Sequence, residues 1–96
     1  MKSPQVYTVE KRFKELFGLM QRDDLFIRET PSKTYVLTVP HPTEDFEYVM
    51  SAYRSPNAAK EFVDLGRCVK VALEFGARSI RFRLSDVHGT DANQLD

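Results

Sequence analysis

Between Asn57 and Leu84 the chain reads NAAKEFVDLGRCVKVALEFGARSIRFRL, and this stretch decides the fold class. Phe62, Leu65, Val69, Ala72 and Leu73 recur at helical spacing, with Cys68 and Phe75 on the border of the stripe. Ser55-Pro56 offers a cap and a first helical position. Gly76 offers the left-handed residue that stops a helix. A helix is therefore expected from Asn57 to about Phe75. Past the glycine, Ile80, Phe82 and Leu84 alternate with Arg81 and Arg83, the pattern of a strand buried on one face only. A helix, a stop and a half-buried strand imply an α+β domain.

Upstream, residues 43–54 admit two readings. As a helix, Thr43 caps it, Glu44 and Asp45 sit at the positive end of the dipole, and Phe46, Val49, Met50 and Tyr53 form a stripe. As a strand, Phe46, Tyr48, Met50 and Ala52 alternate with Glu47, Val49 and Ser51. The helix accounts for the flanks as well as the interior and is preferred. Before it, Pro40-His41-Pro42 closes whatever precedes. Leu25–Glu29 and Thr34–Val39 read as two strands around the turn-forming run Thr30-Pro31-Ser32-Lys33, so an antiparallel hairpin is expected. At the start of the chain, Val6, Val9, Phe13, Leu16, Phe17 and Met20 lie on one helical stripe, with Ser3-Pro4 as the entry.

The expected order is α-β-β-α-α-β, or α-β-β-β-α-β under the strand reading. Both give a small, mostly antiparallel sheet of three or four strands with the helices on one face. Residues 1–84 are expected to form one domain, and residues 85–96, polar and carrying Asp86, Asp91 and Asp96, a mobile acidic tail.

Composition narrows the function classes. Fourteen cations balance fourteen anions, so bulk charge does not drive the chain onto nucleic acid or an anionic membrane. Charge is uneven locally, with six cations against three anions in residues 57–84. No apolar run approaches the ~18 residues of a membrane span. One cysteine rules out an internal disulfide. With no apolar leader near the start, the reducing cytosol is the expected compartment.

The inventory of chemistry is thin. The four glycines are scattered singly, which leaves no phosphate-cradling loop between strand and helix. His41 and His88 lie far apart, and no set of three or four ligands converges on either, so no metal or cofactor is expected. Cys68 has no base beside it in sequence and reads as a buried, inert thiol. Asp23-Asp24 has no partner that would make it an acid/base pair. No catalytic residue is expected.

What remains is surface. If Ile80 and Phe82 face the helices, Arg81 and Arg83 stand on the opposite sheet face, and Phe26 and Arg28 join them if Leu25 and Ile27 point inward. Guanidinium forks beside an aromatic suit carboxylates, phosphates and aromatic planes. The same residues also make an ordinary solvated face with cross-strand ion pairs, for instance to Glu29. Tyr48, off the stripe in the helical reading, is an exposed contact candidate. The expectation is a non-enzymatic interaction module for a protein partner, an adaptor or small inhibitor such as phages and mobile elements encode. Binding of single-stranded nucleic acid on the Arg-bearing face is the alternative. The open edges of so small a sheet also allow a homodimer.

Overall fold

The computed structural model describes residues 4–83. Its elements are β1 (Gln5–Val9), α1 (Glu10–Leu19), β2 (Asp24–Glu29), β3 (Tyr35–Pro40), β4 (Glu47–Ala52), β5 (Ser55–Ala59), α2 (Leu65–Glu74) and β6 (Ser79–Arg83). The expected cap at Ser3, the inward-facing Leu84 and the acidic tail 85–96 lie outside the described residues.

The α+β class holds, but the sheet is larger and of a different kind than expected. It has six strands in the order β1-β4-β3-β2-β6, with β5 paired to β4 off that path. It is mixed: β1 runs parallel to β4 and β6 parallel to β2, while β2-β3, β3-β4 and β4-β5 are antiparallel. The element order is β-α-β-β-β-β-α-β, neither of the two orders expected from sequence.

Three segments account for the difference. Val6-Tyr7-Thr8-Val9 is a run of β-branched and aromatic residues, and it pairs with β4 from Gln5↔Glu47 to Val9↔Ser51. The helical stripe begins only at Phe13; Val6 and Val9 fit its period by coincidence. The second segment, 43–54, holds strand β4, not a helix. Glu47, Val49, Met50 and Ser51 are all buried, so β4, interior to the sheet, is buried on both its faces. Such a strand loses its alternation and imitates a helical stripe. Glu44 and Asp45 accordingly lie in the loop before β4 and compensate no helix dipole. Third, Asn57 to Lys60 is not helical. Ser55-Pro56 opens β5 across the two-residue turn Tyr53-Arg54, where Ala52 pairs with Ser55. Helix α2 starts eight residues later than expected, at Leu65, and is capped by Asp64, whose carboxylate accepts a hydrogen bond from the Gly66 N–H at 3.0 Å.

The hairpin β2-β3 is as expected, closed by the Thr30 N–H donating to the Thr34 carbonyl at 2.8 Å and by the two threonine hydroxyls at 2.7 Å. Gly76, with φ of 99°, ends α2 as a left-handed residue. The Arg78 N–H then donates to the Asp23 carbonyl at 2.7 Å, which sets β6 alongside β2.

Both helices pack on one face. The core joins Phe13 and Phe17 of α1, Leu25, Ile27, Leu37, Val39 and Met50 of the sheet, Phe62, and Cys68 and Ala72 of α2. Cys68, expected at the border of its stripe, is fully buried at the centre, and Leu73, expected in the core, is 56% exposed. The later helix start explains the shift, since α2 is oriented by Leu65, Cys68 and Ala72 and Phe62 packs from the loop before it. Among the described residues no helix is long and apolar enough to cross a membrane.

Gly18 sits near the end of α1, and a Cβ there would meet no atom within 4 Å. Gly18→Ala is expected to raise stability by about 0.5–1 kcal/mol by removing the backbone entropy of glycine in a helix. A rise in thermal midpoint checks this.

Candidate interaction face

The face of the sheet away from the helices is built by strand alternation. Since Leu25 and Ile27 are core, Phe26 and Arg28 stand on the other side of β2. The parallel register places Phe26 against Arg81 and Arg28 against Arg83 on β6. The antiparallel register places Phe26 against Thr38 on β3, and Thr38 against Val49 on β4. Four of the five residues expected at a contact surface, Phe26, Arg28, Arg81 and Arg83, thus share one face. Tyr48 does not join them. It is a β4 residue between Val6 and Val39, half-buried on the helix face, with the Phe46 ring edge-on at 5.2 Å.

Two carboxylates organise the arginines; Glu29, by alternation, stands on the helix face with Leu25 and Ile27. The first is Asp24. Arg22 donates to it from Nε at 2.8 Å and from Nη2 at 3.3 Å, while its Nη1 reaches the Pro40 carbonyl at 3.3 Å. Arg81 donates to the same carboxylate from Nε at 3.0 Å. The Arg22 bond, seconded by that of Arg81, holds the Asp24 carboxyl below its ordinary range against the opposing push of partial burial. The second is Glu47 of β4, which forms an ion pair with Arg28 across β3 and accepts from the Gln5 amide at 3.1 Å. Glu47 is 4% exposed, so this pair is built into the sheet. Thr38 and Val49, neighbours on the same face, are both buried, and the Thr38 hydroxyl has no hydrogen-bond partner among the described residues.

Arg83 is placed differently. Its guanidinium lies 4.5 Å from the centre of the Phe26 ring, and Arg22 lies 5.7 Å from it. Phe26 is buried under these two side chains. Arg83 has no carboxylate partner among the described residues. Arg81 engages only Nε, and its side chain is 69% exposed. The free donors of the face are therefore concentrated on β6, at residues 81 and 83.

The other candidates resolve into structure. His41 Nδ1 accepts from the Thr43 and Glu44 N–H groups at 3.1 and 3.0 Å, and its ring packs on Phe46 at 4.7 Å, so it ties the 41–46 loop together. Burial pushes the Cys68 thiol up to about 12, and it stays protonated at neutral pH. Asp24, Glu47 and Arg22, which fix the face, escape a sequence reading. Arg22 and Asp24 pair two residues apart, but the bonds that tie them to Pro40 and Arg81, and Glu47 to Arg28, form only once strands far apart in the chain have paired. Comparison with protein-family models, curated proteins and solved structures returned no match.

Proposed function

We propose that the domain is a non-enzymatic interaction module of the adaptor or small-inhibitor kind, which holds an extended, acidic segment of a protein partner along β6. The observation that carries this reading is the pairing of two exposed arginines with free donors on a strand at the sheet's edge. Among the described residues β6 pairs only with β2, and a strand laid along its outer backbone edge would add main-chain hydrogen bonds. Residues i and i+2 of a strand are about 6.6 Å apart on one face. A partner strand with carboxylates at alternate positions presents them at the same spacing, each within reach of one guanidinium fork. Arg22, Asp24 and Phe26 hold the two arginines from below.

Asp24 and Glu47, the carboxylates of this face, are engaged in bonds to Arg22, Arg28 and Arg81. Such bonds stiffen a surface; they do not poise a proton or a nucleophile. Nucleic-acid binding has less support. Base stacking needs an exposed ring, and Phe26 is covered by Arg83 and Arg22. Three of the four arginines, Arg22, Arg28 and Arg81, already pair with carboxylates.

The test compares a peptide with glutamates at alternate positions, a scrambled peptide of the same composition and a single-stranded oligonucleotide. The alternating peptide is expected to bind best and to shift the β6 amides. Arg81→Ala with Arg83→Ala is expected to weaken it more than about tenfold, the loss of two charge-assisted contacts. Tighter binding of the oligonucleotide, with a steep salt dependence, would sink this reading in favour of the alternative.

A further inference from the structure

We infer, resting on the reading of β6 as the seat of an acidic strand, that this edge selects a segment in which acidic residues alternate with large apolar ones. Its ligand is then a carboxylate–apolar–carboxylate strand, and negative charge alone is not enough. Alternation gives β6 two unlike faces. Arg81 and Arg83 stand on the face away from the helices, in register with Phe26 and Arg28. Ile80 and Phe82 stand on the other, where Ile80 packs against the core. Phe82 lies beside Ile27, which is fully buried, and its ring is 6.0 Å from that of Tyr35, tilted by 46°. Neighbouring side chains thus hold the ring from within the sheet, yet Phe82 remains 48% exposed at the sheet's edge.

The backbone fixes which partner residue meets that ring. The Ser79 N–H donates to the Asp23 carbonyl at 3.2 Å. Along a parallel ladder Arg81 and Arg83 then also turn their backbone groups toward β2, and those of Ile80 and Phe82 point to the outer edge. An antiparallel strand added there bonds the main chain of Phe82 itself and sets one residue directly opposite it. That residue's side chain lies on the face of the Phe82 ring, with Cβ atoms roughly 5 Å apart. Its two neighbours in the strand lie on the other face, opposite Arg81 and Arg83. A leucine at the central position covers the exposed part of Phe82 and takes apolar surface out of water. A serine there covers little of it. A carboxylate there is set against an aromatic ring, on the wrong face for both guanidinium forks, and gives up hydration without their bonds in return. Bulk charge predicts the opposite order, since a run of glutamates brings more negative charge past the two arginines.

The test is a fluorescence-anisotropy titration of the full chain with three labelled peptides of equal length. In each, glutamates at alternate positions are separated by leucine, by serine or by further glutamate. The leucine peptide is expected to bind about five- to tenfold more tightly than the serine peptide, and more tightly than the all-glutamate peptide despite its smaller charge. Phe82→Thr, which keeps a β-branched residue in the strand, is expected to bring the leucine peptide down to the affinity of the serine peptide, with a cooperative thermal transition showing that the variant is folded. The peptide comparison on the parent protein stands without any variant. Equal binding of the leucine and serine peptides, or tightest binding of the all-glutamate peptide, overturns the apolar requirement and leaves the acidic-strand reading in place. A leucine preference that survives Phe82→Thr overturns it as well, because the apolar contact is then elsewhere. If none of the peptides binds, the acidic-strand reading falls and this selectivity falls with it.

Discussion

Glu47→Ala is expected to cost the domain about 3 kcal/mol of unfolding free energy, the lower end of what breaking a buried ion pair costs. The carboxylate is 5% exposed on its side chain and the Arg28 guanidinium 20%. Removing the carboxylate leaves Arg28 lodged over Val36, Thr38 and Phe26 with only partial access to water, and the Gln5 amide loses its acceptor as well. The residual exposure of Arg28 sets the expectation at the lower end of the range. At roughly 4 °C or more per kcal/mol for a domain this small, the thermal midpoint falls by about 12 °C or more. The pair itself need not be a net source of stability, because desolvating both charges opposes their attraction. Arg28→Met with Glu47→Leu is therefore expected to recover most of the loss. Urea denaturation of the two single variants and the double variant closes the cycle. A cost below about 1 kcal/mol for Glu47→Ala, the range of surface pairs, would mean that the pair is solvated.

The same ion pair explains what a reading of the sequence reaches and what it misses. Chain-local signals are read correctly: the Thr30–Thr34 turn between β2 and β3, the Phe13-Phe17 stripe of α1, Gly76 after α2, and the alternation that puts Arg81 and Arg83 opposite Ile80. Each depends on residues a few positions apart. The strands β1, β4 and β5 are missed because their evidence is elsewhere in the chain. Val6 to Val9 has a partner for its backbone only once Glu47 to Ser51 lies beside it. β4, interior to the sheet and buried on both its faces, carries no alternation to read. The Tyr53-Arg54 turn contains none of the glycine, asparagine or aspartate that marks a hairpin loop. The candidate face divides the same way. Its four members on β2 and β6 follow from parity, whereas Tyr48 follows from whether β4 is a helix. The carboxylates that aim the arginines follow from a mixed sheet order that no spacing announces. Tyr53 reverses in meaning: a core residue in the helical reading, it is 91% exposed in the β4-β5 turn.

Phe13→Ala is expected to cost about 3–5 kcal/mol, the range for truncating a fully buried aromatic and leaving the cavity unfilled. Phe13 is 0% exposed, and its ring lies 6.0 Å from that of Phe75, just past the end of α2. It touches a core whose other members come from β2, β3, β4 and α2, so it joins both helices to one sheet face. The core has few ways to collapse around the loss, since its remaining side chains are fixed to paired strands on one side and to α2 on the other. A loss of that size is a large fraction of the ~5–15 kcal/mol that holds a small domain together, so the variant unfolds in mild denaturant. Leu73→Ala is the informative companion. The helical stripe read from sequence puts Leu73 in the core, where truncation costs ~2–5 kcal/mol. On the later-starting α2, Leu73 is 56% exposed, and truncation is expected to cost less than about 1 kcal/mol. Denaturant midpoints of the two variants separate the cases. Equal losses would mean that α2 is rotated from the orientation set by Cys68 and Ala72, and with it the strand that carries Arg81 and Arg83.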